Sequence, residues 1–105
     1  METELIKLEV ADNIALVTMD APPVNAQNAQ FNNELAYVFD CISDRTDIRV
    51  AILTGAGKVF SAGADMRARS DLAKTGERWQ HNRRVRECFH AIRECTKPVI
   101  GAING

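Results

Sequence analysis

The sequence contains no long hydrophobic run. Its longest apolar stretches, such as Ile14–Val17 and Val50–Leu53, are only a few residues long, whereas a helix needs about 20 apolar residues to cross a bilayer. The acidic start, Met1–Leu5, also lacks the basic and apolar segments of a secretory signal. We therefore expect a cytoplasmic protein that does not enter the membrane.

An excess of charge of either sign is also missing. Thirteen Lys and Arg residues stand against fourteen Asp and Glu residues, which gives a formal net charge of −1. This balance provides no general attraction for a nucleic-acid backbone or an anionic membrane. We therefore expect no nucleic-acid partner, and any anionic ligand must be bound by local groups.

Cysteine is scarce, since the chain has only Cys41, Cys88 and Cys95. Their number is odd and no pair has the C-x-x-C spacing, which argues against a disulfide framework or a zinc site. We interpret all three as reduced thiols that pack in the interior, and we expect no metal ion.

What the sequence does contain is the composition of a folded globular protein, with 46% hydrophobic and 26% charged residues. These values exclude a disordered or low-complexity chain. A length of 105 residues corresponds to at most one domain. Because a strand and the turn dipeptide Asn104-Gly105 come at the very end, a sheet edge is left without a partner, and we expect the core formed by residues 1–105 to be incomplete at residue 105.

The apolar pattern predicts alternating strands and helices, which is typical of an α/β fold with crossover helices. Strands are predicted from runs of β-branched and apolar residues, and helices from apolar residues on one face. The predicted elements are a hairpin of Leu5–Val10 and Ile14–Met19, a helix over about 28–45 capped by Asn25 or Asn28, a central strand over Ile48–Thr54 covered on both faces, irregular chain over 58–64, a helix over about 76–95, and a strand over Val99–Ile103.

The glycine-rich segment Gly55–Asp65 matches neither common nucleotide-binding motif. A Walker A loop would need glycine at Ile52 and a hydroxyl residue at Val59. A G-x-G-x-x-G motif beginning at Gly55 would need glycine at Phe60. The segment is therefore a poor candidate for binding a nucleoside triphosphate or NAD.

A different chemistry fits the small residues Ser61-Ala62-Gly63-Ala64 in this segment. Small side chains allow a ligand to approach the main chain, and backbone N–H groups at the start of a helix can stabilise a developing oxyanion. The simpler alternative is a tight loop in which Asp65 acts as an N-cap. Residue types alone favour the simpler alternative.

Three blocks of the sequence, taken in order, resemble a known family. They are Pro22-Pro23-Val24-Asn25-Ala26, then Ile52–Met66, then Lys97–Gly105. Together they resemble the N-terminal blocks of the enoyl-CoA hydratase/isomerase (crotonase) family, and the loop Phe60–Met66 carries most of the resemblance. It implies a crotonase-like spiral of β-β-α units that forms a homotrimer or homohexamer and binds acyl-CoA thioesters, with coenzyme A as part of the substrate and no separate cofactor.

The resemblance also implies roles for individual residues. The backbone N–H of Ala64 would be one of two donors to the thioester oxygen, and the carbonyl of Ala62 would face the adenine amino group of CoA. Further substrate contacts are implied for Val24 and Ala26 along the CoA channel, for Asp65 and Met66 beside the acyl group, and for Arg67 at the CoA phosphates.

Other parts of the family's site are not among these 105 residues. The glycine turn with the second oxyanion donor would follow Gly105, and the two catalytic glutamates of hydratases would lie further on. We therefore expect the 105-residue chain alone to be inactive. Its own carboxylates show no paired arrangement and are interpreted as solvated surface charges, namely Glu34, Asp40, Asp44, Asp47, Glu87 and Glu94.

The predicted second helix carries the only histidines, His81 and His90. Neither has a nucleophile at a recognisable spacing, and we interpret both as packing residues at or near the surface. Trp79 and its neighbouring arginines are compatible with RNA stacking, but their alternation with glutamates favours a solvated helix face.

Together these observations predict part of an enoyl-CoA hydratase-type lyase of fatty acid metabolism, which adds water to 2-enoyl-CoA thioesters through an oxyanion hole. Two alternatives stay open. One is another reaction of the same family, such as enoyl-CoA isomerisation or thioester hydrolysis. The other is a non-catalytic truncated module that binds CoA or another protein.

Overall fold

A computed structural model describes residues 2–68, 70 and 78–105 of the protein. Strands and helices alternate along this part of the chain. In order, they are β1 Ile6–Ala11, β2 Ile14–Met19, β3 Ala26–Gln27, α1 Ala29–Asp44, β4 Val50–Gly55, β5 Gly63–Ala64, α2 Arg78–Arg93 and β6 Val99–Ala102. Neither α1 nor α2 is both long and apolar enough to cross a membrane.

Four strands form one sheet in the order β1-β2-β4-β6. β1 and β2 are antiparallel, and the turn between them uses Asp12 and Asn13, whose φ angles are 53° and 65°. Positive φ at both central residues is typical of a type I′ two-residue hairpin turn. β2, β4 and β6 are parallel. Their C-terminal ends therefore lie at one edge of the sheet, which we call the carboxyl edge.

A hydrophobic core forms where α1 packs on the sheet and on α2. Its side chains come from the apolar face of α1, from alternate positions of β2 and β4, and from α2. Each large apolar side chain that is fully buried contributes about 2 kcal/mol to folding. The main members are Phe31, Leu35, Val38, Phe39, Ile42, Ala15, Val17, Met19, Ala51, Leu53 and Cys88.

The C-terminal end of α1 is fixed by Lys97, which directly precedes the loop into β6. Its ammonium group donates to three carbonyl groups at 2.6 to 2.9 Å, those of Ile42, Ser43 and Arg45. A cation at this position satisfies the free carbonyl groups and complements the negative end of the helix dipole. The contact therefore ties the end of α1 to the start of β6.

The structure confirms most of the predicted elements. The hairpin, α1, β4 and β6 lie close to their predicted bounds, and Asn28 is the N-cap, because its side chain accepts a hydrogen bond from the Phe31 N–H at 2.9 Å. The predicted start of the second helix, at 76, lies outside the described residues. The prediction was wrong at 26–27 and 63–64, which form the short parallel strands β3 and β5, because two-residue strands leave no apolar pattern in the sequence.

Glu34 is buried, so its interpretation as a solvated surface charge was wrong; it is only 4% exposed. Its Oε1 accepts from the N–H groups of Glu4 and Leu5 at 2.8 Å and of Ile6 at 3.3 Å, and its Oε2 accepts from the Gln30 amide at 2.8 Å. Burial by itself raises the pKa of this carboxyl, but the four donors lower it below its ordinary value. The carboxylate therefore fastens the start of β1 to α1.

Burial also corrects two smaller expectations. The central strand β4 is fully buried on only one face among the described residues, because Ala51 and Leu53 are buried while Ile52 on the other face is half-buried. His81 is 7% exposed, which makes it a buried residue. The three cysteines are free thiols, as expected. Cys88 is the most buried of them, and burial raises the pKa of its thiol to about 11.

Candidate functional site

Three segments of the chain leave the sheet at the carboxyl edge. They follow β2, β4 and β6 and comprise residues 20–25, 56–62 and 103–105. In open parallel α/β sheets, ligands bind outside the C-terminal ends of the strands. Hydrogen bonds between these segments show which polar groups are paired within the fold and which polar groups are left to bind a ligand.

Asn25 joins the first segment to the second. Its side chain is only 2% exposed, and its φ of 53° lies in the left-handed region that asparagine tolerates better than most residues. The side-chain oxygen accepts from the Ala21 N–H at 2.7 Å. The side-chain nitrogen donates to the carbonyl groups of Val59 at 2.9 Å and Phe60 at 3.1 Å. The buried amide therefore holds residues 59 and 60 against the first segment.

Ser61 makes the next link. Its hydroxyl donates to the backbone carbonyl of Asn25 at 2.8 Å and accepts from the Gln27 side-chain amide and from the Gly63 N–H, both at 3.1 Å. A hydroxyl has one donor and two acceptor positions. All three are used here, so Ser61 is a structural hydrogen-bonding centre and is not free to act as a nucleophile.

The short strands β3 and β5 place Ala64. They pair in parallel, with Ala26 opposite Gly63 and Gln27 opposite Ala64. The Asp65 N–H donates to the Gln27 carbonyl at 2.9 Å and therefore points towards β3. Because neighbouring residues of a strand direct their N–H groups to opposite sides, the Ala64 N–H is directed away from β3. Ala64 is also exposed.

Gly55, at the end of β4, allows the second segment to fold back closely. A Cβ atom at this position would lie 2.6 Å from the carbonyl oxygens of both Val59 and Phe60. These are the same two carbonyl groups that accept from Asn25. The absence of a side chain at residue 55 is therefore required for the segment to reach Asn25.

The structure places the remaining predicted site residues around this segment. Ala62 is exposed, and its N–H donates to the Val24 carbonyl at 2.9 Å, which brings two of the predicted residues together. Ala26 is half-buried in β3 and pairs with Gly63. The side chain of Val24 is 36% exposed. These residues form one continuous strip at the carboxyl edge.

The helical turn after β5 holds the other three predicted residues. Asp65 caps this turn, since its Oδ1 accepts from the N–H groups of Arg67 at 3.0 Å and Ala68 at 3.1 Å. Its N-cap role is therefore confirmed. Met66 is 71% exposed, and Arg67 is exposed as well. An apolar and a cationic side chain thus extend into solvent beside the Ala64 amide.

A small cavity of about 140 Å³ opens in the same region. It lies between the first and second segments. Its lining includes an acidic side chain, two prolines and two small residues, and it is formed by Asp20, Pro22, Pro23, Asn25, Ala56 and Gly57. The cavity therefore adds a concave surface beside Asn25.

The acidic side chains at this edge include Asp20, which lines the small cavity, and Asp65, which caps the turn after β5. Among residues 2–68, 70 and 78–105, no group of three or more His, Cys, Asp or Glu residues is placed to hold a metal ion. Glu34 accepts four hydrogen bonds at the start of β1, and Asp47 pairs with Arg45 at 2.6 Å. The group that the described geometry offers to a ligand at this edge is the Ala64 N–H, which is directed away from β3.

Sequence reasoning missed the side-chain roles of Asn25 and Ser61. The sequence pattern predicts Asn25 only as a possible helix cap and as part of a family block. One signal was available: asparagine is enriched at positive φ and often bonds to nearby backbone groups. Its position two residues after Pro22-Pro23 indicates a tight, specific turn, which would have favoured a structural role.

Comparison with known proteins gives consistent matches. The family described as enoyl-CoA hydratase/isomerase matches residues 9–105. A short-chain-enoyl-CoA hydratase from Clostridium acetobutylicum is 35% identical over 107 residues, which cover 100% of this chain and 41% of the relative. The mitochondrial Delta(3,5)-Delta(2,4)-dienoyl-CoA isomerase of Homo sapiens is 36% identical over 91 residues, which cover 77% of this chain and 28% of the relative.

Solved structures agree. The structure of an enoyl-CoA hydratase/carnithine racemase from Magnetospirillum magneticum matches with a TM-score of 0.90 and 34% identity, and the match covers 99% of this chain and 40% of that chain. The chain therefore spans less than half of the length of each of these proteins.

Proposed function

Because this chain belongs to the enoyl-CoA hydratase/isomerase family, with a crotonase-like α/β fold, we propose that it forms the part of a hydratase-type acyl-CoA enzyme that binds the CoA thioester and polarises its carbonyl group. The observation that supports this best is the Ala64 amide. Ala64 is exposed, and its N–H is directed away from β3 at the carboxyl edge. That N–H would donate to the thioester oxygen.

The proposed mechanism is electrophilic. A hydrogen bond to the thioester oxygen withdraws electrons from the conjugated double bond, so that C3 accepts the oxygen of water and C2 then takes a proton. A well-placed oxyanion donor lowers the barrier by about 3 to 4 kcal/mol, because it is strongest when negative charge develops on the oxygen. A second donor and the acid–base carboxylates would come from residues after Gly105, so the 105-residue chain alone would not turn over substrate.

The same strip of residues would hold the rest of the substrate. The backbone at Val24 and Ala26 would line the CoA channel, and the Ala62 carbonyl would accept from the adenine amino group. Met66 would pack beside the acyl chain, next to the Asp65 cap. The exposure of Met66 and Val24 supports this arrangement, because exposed apolar side chains often mark a surface for an apolar ligand. Arg67 would pair with the CoA phosphates.

Hydration is one of several reactions that such a site can support. Isomerisation of the double bond and hydrolysis of the thioester also gain from a polarised carbonyl, and one of the relatives is named as an isomerase. A non-catalytic CoA-binding module is the alternative of another class. We further propose assembly into a homotrimer or homohexamer and a cytoplasmic location.

The test uses the gene product expressed between its natural start and stop codons. We expect it to bind crotonyl-CoA in calorimetry and to hydrate it, measured as loss of enoyl absorbance. Conversion of 3-enoyl-CoA to 2-enoyl-CoA without hydration would identify an isomerase instead. Binding of CoA without any turnover would support the non-catalytic module, and failure to bind CoA thioesters would contradict the proposal as a whole.

A variant tests the Ala64 amide itself. Ala64→Pro removes the backbone N–H, and we expect kcat to fall by a factor of about 100 to 1,000 while the affinity for CoA is retained. Ala64→Gly is the matched control, since it keeps the N–H and should keep most of the activity. Circular dichroism checks that both variants are folded. Equal activity of Ala64→Pro and wild type would exclude this amide as a donor.

A further inference from the structure

The peptide group that carries the Ala64 N–H is anchored on both sides. Before it, the Gly63 N–H donates to the Ser61 hydroxyl at 3.1 Å. After it, the Asp65 N–H donates to the Gln27 carbonyl at 2.9 Å. Gly63 has a φ of 91°, which lies in the region that favours glycine, so the chain turns sharply between the two anchors. The direction of the Ala64 N–H therefore depends on these two hydrogen bonds.

The first anchor is itself held by Asn25. The Ser61 hydroxyl donates to the Asn25 carbonyl at 2.8 Å, while the Asn25 side chain donates to the carbonyl groups of Val59 and Phe60, the two residues before Ser61. Asn25 thus binds the chain on both sides of the Phe60–Ser61 bond. Because Asn25 is only 2% exposed, leaving its amide without these partners would cost free energy, so the hydrogen bonds hold the two segments together.

We infer that Asn25 and Ser61 are positioning residues that aim the Ala64 N–H at the substrate oxygen, an inference that rests on the function proposed above for this amide. Their side-chain hydrogen bonds to the main chain involve residues 21, 25, 56, 59, 60 and 63 and not Ala64 itself. Asn25 and Ser61 act on the Ala64 N–H through the backbone of Gly63 and through the pairing register of β3 with β5. Catalytic groups must be held within a fraction of an ångström, so loss of either anchor should weaken the donor without removing it.

A spectroscopic measurement distinguishes a change in the direction of the Ala64 N–H from a general loss of stability. The gene product is mixed with crotonyl-CoA labelled with ¹³C at the thioester carbonyl, and the C=O stretching frequency is measured by infrared difference spectroscopy. Polarisation by the Ala64 N–H lowers this frequency. Ser61→Ala should reduce the frequency shift and lower kcat about tenfold, with KM changed by less than about twofold, because transition-state stabilisation is lost more than binding.

Two further variants serve as controls. Ser61→Thr keeps the hydroxyl and should restore the frequency shift. Thr96→Val removes one hydroxyl hydrogen bond, from Thr96 Oγ1 to the Ser43 carbonyl at 2.9 Å, at the opposite end of α1. It removes fewer hydrogen bonds than Ser61→Ala does, so it should lower the melting temperature less, and it should leave the frequency shift unchanged.

Asn25→Gly tests the other positioning residue, because glycine accepts the positive φ and only the side-chain hydrogen bonds are lost. It should reduce the frequency shift at least as much as Ser61→Ala. A wild-type shift in Ser61→Ala would overturn the inference and leave the proposed function intact. An equal loss of the shift in Thr96→Val would also overturn it. No shift in the wild-type protein would overturn the proposed donor, and the inference with it.

Discussion

The side chain of Asn104 pairs with both backbone groups of Gly55. Its Oδ1 accepts from the Gly55 N–H at 3.2 Å, and its Nδ2 donates to the Gly55 carbonyl at 2.8 Å. The backbone pairing of β4 with β6 ends at Thr54 and Ala102, so the side-chain amide extends this pairing by one residue. Nδ2 also donates to the Gly57 carbonyl at 3.1 Å. Asn104 therefore fixes the start of the segment that leads to Ala64.

Replacing Asn104 tests the strength of this link. Asn104→Ala leaves the N–H and carbonyl groups of Gly55 without these partners, and we expect the free energy of unfolding to fall by about 1 to 2 kcal/mol. Urea denaturation followed by circular dichroism measures the change. Asn82→Ala, at an exposed position of α2, should change stability by less than about 0.5 kcal/mol. Equal effects of the two substitutions would contradict the structural role of Asn104.

Two glycines with different surroundings provide a steric prediction. Gly55→Ala would bring a Cβ to 2.6 Å from the carbonyl oxygens of Val59 and Phe60, so the backbone must shift, and we expect a loss of about 2 kcal/mol or more. Gly101→Ala, in β6, meets its nearest neighbour, Ile103 Cγ1, at an ordinary 3.8 Å. Thermal melts should therefore show a clear loss for the first variant and little change for the second. Comparable melting temperatures would exclude the close approach at Gly55.

The carboxylate of Glu34 predicts a pH-dependent stability. Its folded-state pKa lies below the ordinary value of 4.5, so its contribution is fully present above pH 4.5 and is lost as the pH falls through the folded-state pKa. Glu34→Gln should be less stable than wild type by about 2 kcal/mol at pH 7, because the backbone N–H groups of Glu4 and Leu5 lose a charged acceptor.

Denaturation midpoints across a series of pH values provide the measurement for Glu34. The difference between wild type and Glu34→Gln should shrink steadily in acid. Glu9→Gln, at an exposed position on β1, is the matched control and should show no comparable difference at pH 7. A constant difference between wild type and Glu34→Gln from pH 7 to pH 3 would refute the assignment.

Lys97 predicts a stability effect at the other end of α1. Lys97→Met keeps most of the aliphatic chain but removes the ammonium group that donates to the carbonyl groups of Ile42, Ser43 and Arg45. We expect a loss of about 1.5 to 3 kcal/mol, since these hydrogen bonds involve a charged donor. Lys7→Met removes a single exposed contact, to the Glu4 carbonyl at 2.7 Å, and should cost less than about 0.5 kcal/mol. Chemical denaturation of both variants gives the comparison.

The long elements could be predicted because their residues repeat a pattern. Phe31, Leu35 and Ile42 mark the buried face of α1, and Asn28 begins it as a polar cap. The short strands β3 and β5 could not be predicted in this way, because each has only two residues and depends on pairing with a distant segment. Local sequence carries little information on such contacts.

The burial of polar side chains could not be predicted from the sequence either. In the sequence, the neighbours of Glu34 are typical of a surface residue. Its burial depends on contact with the N-terminal segment, about thirty positions away. Asn25 is similar, because its partners Val59 and Phe60 lie more than thirty positions further along the chain. The small residues of the sequence made it possible to predict a loop around Ala64. The side chains that orient this loop could not be predicted.

The parallel arrangement of the sheet also has an electrostatic consequence. α1 connects the end of β2, through β3, to the start of the parallel strand β4, so its amino-terminal end faces the edge where the three segments meet. The amino-terminal end of a helix carries roughly half a positive elementary charge. A polyanion that approaches this edge therefore meets a favourable local potential, although the chain as a whole has a formal charge of −1.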